Sequence, residues 1–213
     1  MPVIEYQRIP DLRVVREVCV GSHEAVRSVV LISKFQDLKK VRRVALDVSS
    51  RTSQSLVKII FREFHGFEPE WEIANPDVRK MMEENDAALL IGDPGMKTVP
   101  PELHIFDLAS LWRSFTGLGF VFAMWMGRAD AVEAVGRVDF EGARDEGLEQ
   151  LERIIDQYEN SVPLSREEIR KYLTDNITFQ IDDNLEQGMR LYFELAAKHR
   201  LIESSKPLKF VGS

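Results

Sequence analysis

Residues 46–53 (LDVSSRTS) place four hydroxyls, those of Ser49, Ser50, Thr52 and Ser53, around one guanidinium, that of Arg51. The residues before the cluster read as a short strand and those after it follow helical spacing, so the cluster stands where a strand hands the chain to a helix. A helix start presents unpaired N–H groups at the positive end of the helix dipole, where a carboxylate or phosphate is favoured. Arginine adds a bidentate fork for such a group, and serine and threonine add shorter, adaptable hydrogen bonds. Serine and threonine are also ordinary N-caps, but a cap needs one of them. Four around an arginine exceed that need and point to a small anionic ligand. There is no glycine-rich stretch and no Gly-Lys-Ser/Thr ending, which excludes a P-loop.

Two further positions join the candidates. Asp93 lies in Gly92-Asp93-Pro94-Gly95, directly after the apolar residues 87–91, the kind of strand end at which open α/β sheets bind ligands. It is suited to orienting a substrate hydroxyl or moving a proton; the same four residues are also ordinary turn chemistry. Ser28 and Arg27 lie in the apolar run of residues 26–33, where an arginine is either a strand-end charge reaching solvent or a cleft residue. No metal is expected, because His23, His65, His104 and His199 have none of the spacings of metal ligands. Cys19 is the single cysteine and sits in a valine-rich stretch, where it reads as a small buried residue rather than a nucleophile. Asp182-Asp183-Asn184 reads as a helix N-cap and lacks the glycine and final glutamate of a calcium loop.

The elements that must position these residues follow from hydrophobic spacing. Residues 13–19 read as extended, residues 26–33 as a strand buried on both faces, and residues 44–48 and 87–91 as further strands. From Ser53 onward Leu56, Val57, Ile60, Phe61 and Phe64 share one helical face, and His65-Gly66 ends that helix. Asn75-Pro76 is read as the cap and first turn of a short helix ending near Asn85. A helix from Leu108 ends at Gly117, and residues 120–126 form a second continuous apolar strand; Trp112, Phe120 and Phe122 are core candidates, and Trp125 is placed in the core or facing a cleft. Beyond it Leu148, Leu151, Ile154, Ile155 and Tyr158 form a helical stripe, Ser165 with Glu168 forms a capping box, and a last helix covers residues 183–199.

This alternation predicts an α/β fold with mainly parallel pairing and a helical last third. The two apolar strands that bracket the middle segment look like crossovers between lobes with a cleft between them. The 213 residues, 44% hydrophobic and 30% charged, are ordinary globular composition, and a net charge of -7 excludes a general nucleic-acid binder. The lysines and arginines of residues 34–43 are then a solvated surface. The first residues lack the basic and apolar regions of a signal peptide, and no apolar run is long enough for a bilayer. With one cysteine and no possible intramolecular disulfide, a cytoplasmic protein is expected.

Residues 44–53 (VALDVSSRTS), 87–94 (AALLIGDP) and 116–125 (TGLGFVFAMW) together resemble the menaquinone-biosynthesis chorismate dehydratases. Residues 24–34 (EAVRSVVLISK) and 172–177 (YLTDNI) are similar to the same family, in the family's order. The resemblance implies a two-lobed periplasmic-binding-protein-like fold of type II, with residues 1–33 and 123–213 in the first lobe with crossover strands and 34–122 in the second. It implies the dehydration of chorismate, a small dicarboxylate, to 3-[(1-carboxyvinyl)oxy]benzoate, without cofactor or metal. It assigns Ser49, Ser50, Arg51, Thr52 and Ser53 to substrate binding, with Ser28 and Asp93 as further contacts. Family members begin with a further strand-helix-strand portion whose Tyr-Leu-Asn segment contributes to the site. Residues 1–6 resemble the end of that portion, so the first lobe is expected to be incomplete at its N-terminus. A carboxylate-sensing or solute-binding-like module without turnover, and the related dihydroxynaphthoate synthase of the same pathway, are the alternative readings.

Overall fold

Strands of valine, leucine, isoleucine and alanine that bury both faces organise the fold. The computed structural model describes residues 1–97 and 99–212. The chain opens with a one-turn helix α1 (Glu5–Arg8), a long strand β1 (Leu12–Ser22) and then β2 (Val29–Ser33), whose five residues are all buried. Next come β3 (Arg43–Asp47), helix α2 (Arg51–Ile59) and a π-helical continuation through Ile60–His65 that stops at Gly66 in the left-handed conformation. Strand β4 (Glu70–Ala74), helix α3 (Val78–Glu84), β5 (Ala87–Ile91), β6 (His104–Asp107), helix α4 (Leu108–Thr116) and β7 (Phe120–Arg128) complete the first two thirds. The remainder is helical: α5 (Val132–Val135), α6 (Phe140–Glu149), α7 (Leu151–Tyr158), α8 (Arg166–Lys171) and α9 (Asp183–Lys198).

Five strands form one sheet in the order β4-β3-β5-β2-β6, and β1 pairs with β7 as a separate antiparallel ribbon. β3 is parallel to both its neighbours, whereas β2 is antiparallel to β5 and to β6. Mainly parallel pairing therefore needs correcting: the sheet is mixed, because β2 is inserted against the direction of its neighbours. Its apolar run carries no sign of direction, since a doubly buried strand looks the same either way. β2 is thus an inner strand of the sheet, and it is β1 that pairs with β7. As a geometric consequence the carboxyl ends of β3, β4, β5 and β6 and the amino end of β2 share one edge.

The main core joins the sheet to α2, α4 and α9. Leu46, Leu56, Val57, Ile60, Phe61, Leu89, Trp112, Phe120 and Tyr192 are all fully or almost fully buried in it. Trp112 donates its indole N–H to the Gly119 carbonyl at 3.1 Å, which satisfies the one polar atom of the largest buried side chain. Cys19 is buried with its thiol pushed up to about 12 by desolvation, as a small core residue should be.

Several elements differ from expectation. The strand expected over residues 26–33 begins only at Val29, because Arg27 takes a left-handed conformation (φ 64°). The helix expected after Asn75-Pro76 is capped instead by Asp77, whose carboxylate accepts from the N–H groups of Arg79 and Lys80. The stripe from Leu148 to Tyr158 is split between α6 and α7; Ile155 is buried while Leu148 and Tyr158 are exposed. Trp125 is 58% exposed and lies against Phe140, with ring centroids 5.5 Å apart, so it is not core. The capping box at Ser165 and Glu168, the Asp182 cap of α9 and the Gly117 stop of α4 are as expected. Among the described residues no helix is long and apolar enough to cross a membrane.

Candidate functional site

The shared edge of the sheet gathers Ser28, Asp93 and the 49–53 corner in one place. Asp47, the last residue of β3 and fully buried, ties the corner together. One of its carboxylate oxygens accepts from Ser49 N (2.9 Å) and Ser49 Oγ (2.6 Å), and the other from Ile91 N at the end of β5 (3.3 Å). Its carbonyl accepts from Gln54 Nε2 (2.7 Å) and from Ser50 N (3.1 Å). Asp47 escaped sequence reasoning; its signal was a carboxylate closing a strand directly after the apolar Val44, Ala45 and Leu46.

At the start of α2 the five expected residues have different surroundings. Ser49 is exposed and donates to Asp47. Ser50 is the N-cap residue and is buried, yet its side chain caps no N–H group, and the first turn of α2 contains no acidic residue. The positive end of this helix is therefore not neutralised from within the helix. Arg51 is 63% exposed and donates from one terminal nitrogen to Glu5 at 3.1 Å. Thr52 turns inward: its Oγ1 accepts from Ile4 N (3.4 Å) and its carbonyl from the Tyr192 hydroxyl (3.0 Å). Ser53 is also buried. Helix α4 begins at the same edge but is already filled, since its cap Asp107 accepts from Val26 N, Arg27 N and Ser110 N.

Ser28 precedes β2 and is buried. Its carbonyl accepts from Gly92 N (2.8 Å), and its hydroxyl accepts from the Tyr172 hydroxyl (2.9 Å). The chain here is packed too closely for side chains: a Cβ on Gly95 would meet the Ser28 carbonyl oxygen at 3.0 Å. Asp93 opens the 3-10 turn Asp93–Met96 after β5 and is exposed. Ser28, just before β2, and Asp47, at the end of β3, flank β5, so about 10 Å of sheet lies between the two strands at about 4.8 Å per strand.

The C-terminal segment closes over this edge through Tyr172 and two neighbouring contacts. Arg27 donates to Glu168 at 2.6 Å and Asn176 Nδ2 to the Ala25 carbonyl at 2.8 Å. Arg27 is thus neither a solvated strand end nor a free cleft residue, but an ion-pair partner of α8. The backbone and hydroxyl of Ser165, together with the Arg27 guanidinium, hold the Glu168 carboxyl at about 2. Burial, with the nearby Asp93 charge, raises the Tyr172 phenol above its ordinary value despite the Ser28 hydrogen bond, so it stays a protonated donor at neutral pH. Tyr172 begins a π-helical turn, Tyr172–Asn176, a feature frequent at functional sites. Neither Tyr172 nor Glu5 was singled out from the sequence as a site residue, because each reaches the edge only through tertiary packing.

Residues 1–198 match the model of a family described as menaquinone biosynthesis. The chain is 27% identical over 175 residues to a chorismate dehydratase from Thermus thermophilus, covering 74% of this chain and 64% of that relative. The chain thus spans less than two thirds of the length of this curated relative. Among solved structures it is similar to protein AF1704 of Archaeoglobus fulgidus (TM-score 0.65, 17% identity, covering 95% of this chain and 78% of that one). It is also similar to the ligand-binding component of an ABC-type import system from Staphylococcus aureus with zinc bound (TM-score 0.57, 9% identity, 95% and 72% covered). These likenesses show a periplasmic-binding-protein-like fold of type II.

Proposed function

The chain belongs to the menaquinone biosynthesis family, and from that premise we propose that it acts as a chorismate dehydratase whose substrate lies along the shared sheet edge. The observation that carries the reading is the α2 corner. There an exposed Arg51 stands at a helix start without internal acid, on the β3 side of β5, with the Ser28–Tyr172 pair on the β2 side. A small dicarboxylate suits such a surface: one carboxylate on Arg51 and the α2 N–H groups, the rest of the molecule reaching across β5. The similarity to a curated chorismate dehydratase supports the choice of acid.

The chemistry asks for positioning more than for strong reagents. The electron pair of the ring C–H bond beside the enolpyruvyl ether becomes a ring double bond. The neighbouring hydroxyl leaves with a proton as water, and the ring becomes aromatic without oxidant or reductant. Arg51 and the first turn of α2, with Ser50 and Ser53, hold a carboxylate. Ser28 contacts the ring substituents, Asp93 takes the ring proton and passes it to the departing hydroxyl so that water leaves, and Tyr172 keeps the Ser28 hydroxyl oriented. Ser49 and Thr52 complete the corner from behind through Asp47 and Ile4. Residues 1–33 and 123–213 are read as one lobe and 34–122 as the other; β3 to β6 fall within 34–122, while β2, an inner strand of the same sheet, comes from residues 29–33 and would have to be counted with the second lobe. The reading places the enzyme in the cytoplasm, without nucleic-acid or membrane partner.

Incubation with chorismate, followed by proton NMR, tests the proposal. Appearance of 3-[(1-carboxyvinyl)oxy]benzoate is expected. Saturable binding of chorismate without product would overturn the enzyme reading in favour of a carboxylate-sensing module.

A further inference from the structure

We propose that Glu5 is a positioning residue for Arg51, holding one edge of its guanidinium so that the other edge is presented to the substrate carboxylate. This inference rests on the reading of the α2 corner as the carboxylate site.

Glu5 is an unusual place for a carboxylate. It belongs to the one-turn helix α1 and its side chain is only 8% exposed. A carboxylate so placed requires compensation by charge and hydrogen bonds. Two arginines supply it: Arg8 donates to Oε1 at 3.0 Å and Arg51 to Oε2 at 3.1 Å. One carboxylate between two guanidinium groups leaves a net positive charge at the start of α2. Arg51 commits one terminal nitrogen to Glu5, and a guanidinium has five N–H donors in a fixed plane. Its remaining donors belong to a side chain that is mostly in solvent.

The support beneath Glu5 is rigid. Ile4 donates its backbone N–H to the Thr52 hydroxyl, and Tyr6 donates its hydroxyl to the Pro207 carbonyl at 2.7 Å while stacking on Phe193. The carboxylate is therefore fixed to the same body as α2, and a guanidinium tethered to it is ordered before the ligand arrives. An untethered arginine must lose rotamer freedom at the moment of binding. Glu5 also sets the plane of the fork, and the plane decides whether a carboxylate meets two donors or one.

A purely electrostatic role predicts the opposite sign, because removing the Glu5 charge makes the corner more positive. Calorimetric titration with chorismate on wild type, Glu5→Gln, Arg51→Ala and the double variant separates the cases, with melting temperatures recorded throughout. Glu5→Gln is expected to weaken binding about tenfold in the wild-type background and less than twofold when Arg51 is already alanine. In turnover the loss falls on KM while kcat stays within about twofold. Unchanged or tighter binding by Glu5→Gln overturns the proposal, as does an equal loss in both backgrounds, which marks a structural effect. Should Glu5→Gln not fold, Glu5→Asp carries the same test, since it keeps the charge but withdraws the carboxylate from Arg51. Arg51→Ala binding chorismate as well as wild type overturns the site reading itself, a failure distinct from the loss of Glu5's role.

Discussion

Arg51 and Tyr172 stand on opposite sides of β5, and on the proposed reading their substitutions have different signatures. Removing the Arg51 guanidinium deletes charge-assisted bonds worth about 2 kcal/mol, so Arg51→Ala should weaken chorismate binding roughly 30-fold. Because Arg51 also compensates the nearly buried Glu5 carboxylate, which keeps only Arg8 in the variant, a modest fall in melting temperature is expected as well; calorimetry and a melting scan check both points. Tyr172→Phe removes the donor to the buried Ser28 Oγ from a half-buried pair. It should cost about 1 kcal/mol, a fall of roughly 2–4 °C in melting temperature for a chain of this size. Binding at Arg51 should persist in that variant, since the two contacts are separated by a strand. Loss of chorismate affinity on a par with Arg51→Ala would show that the two sides of the edge are not independent.

At the scale of elements, the attachment of α8 to the sheet edge depends on one carboxylate. Glu168 closes the capping box with Ser165 and accepts from Arg27. Its folded pKa, about 2, lies below the ordinary value of 4.5, so its stabilising contribution is complete above that value and fades as pH falls toward 2. Glu168→Gln should therefore lower the melting temperature at pH 7, and the gap from wild type should close between about pH 4.5 and 2. A gap independent of pH would contradict the linkage. The same scale shows what the sequence could and could not reveal. β2, β3 and β5 were legible because their apolar runs are buried on both faces, α4 because the left-handed Gly117 marks its end, and α9 because the Asp182 cap marks its start. β4 was missed because it is an edge strand, where Glu70, Glu72 and an exposed Ile73 hide the usual pattern. β6 was missed because four residues are too few to show a period. The direction of β2 was invisible because burial does not depend on it.

At the scale of the whole molecule, the proposed site is an assembly of distant segments. Glu5 and Ile4 come from the beginning of the chain, the α2 corner and Asp93 from its middle, and Tyr172 and Tyr192 from its end. The corner itself was readable, because its hydroxyls, arginine and helix start are contiguous. Asp47, Glu5 and Tyr172 were not, because their partners are fixed only by the tertiary fold. The family match spans all these segments. The central claim is that this edge turns chorismate over by way of Arg51. Its most direct test is kcat/KM for formation of 3-[(1-carboxyvinyl)oxy]benzoate by wild type and by Arg51→Ala, measured side by side. The account predicts product from wild type and a loss of roughly 30-fold or more in the variant. Equal rates from the two proteins, or no product from wild type, would contradict it.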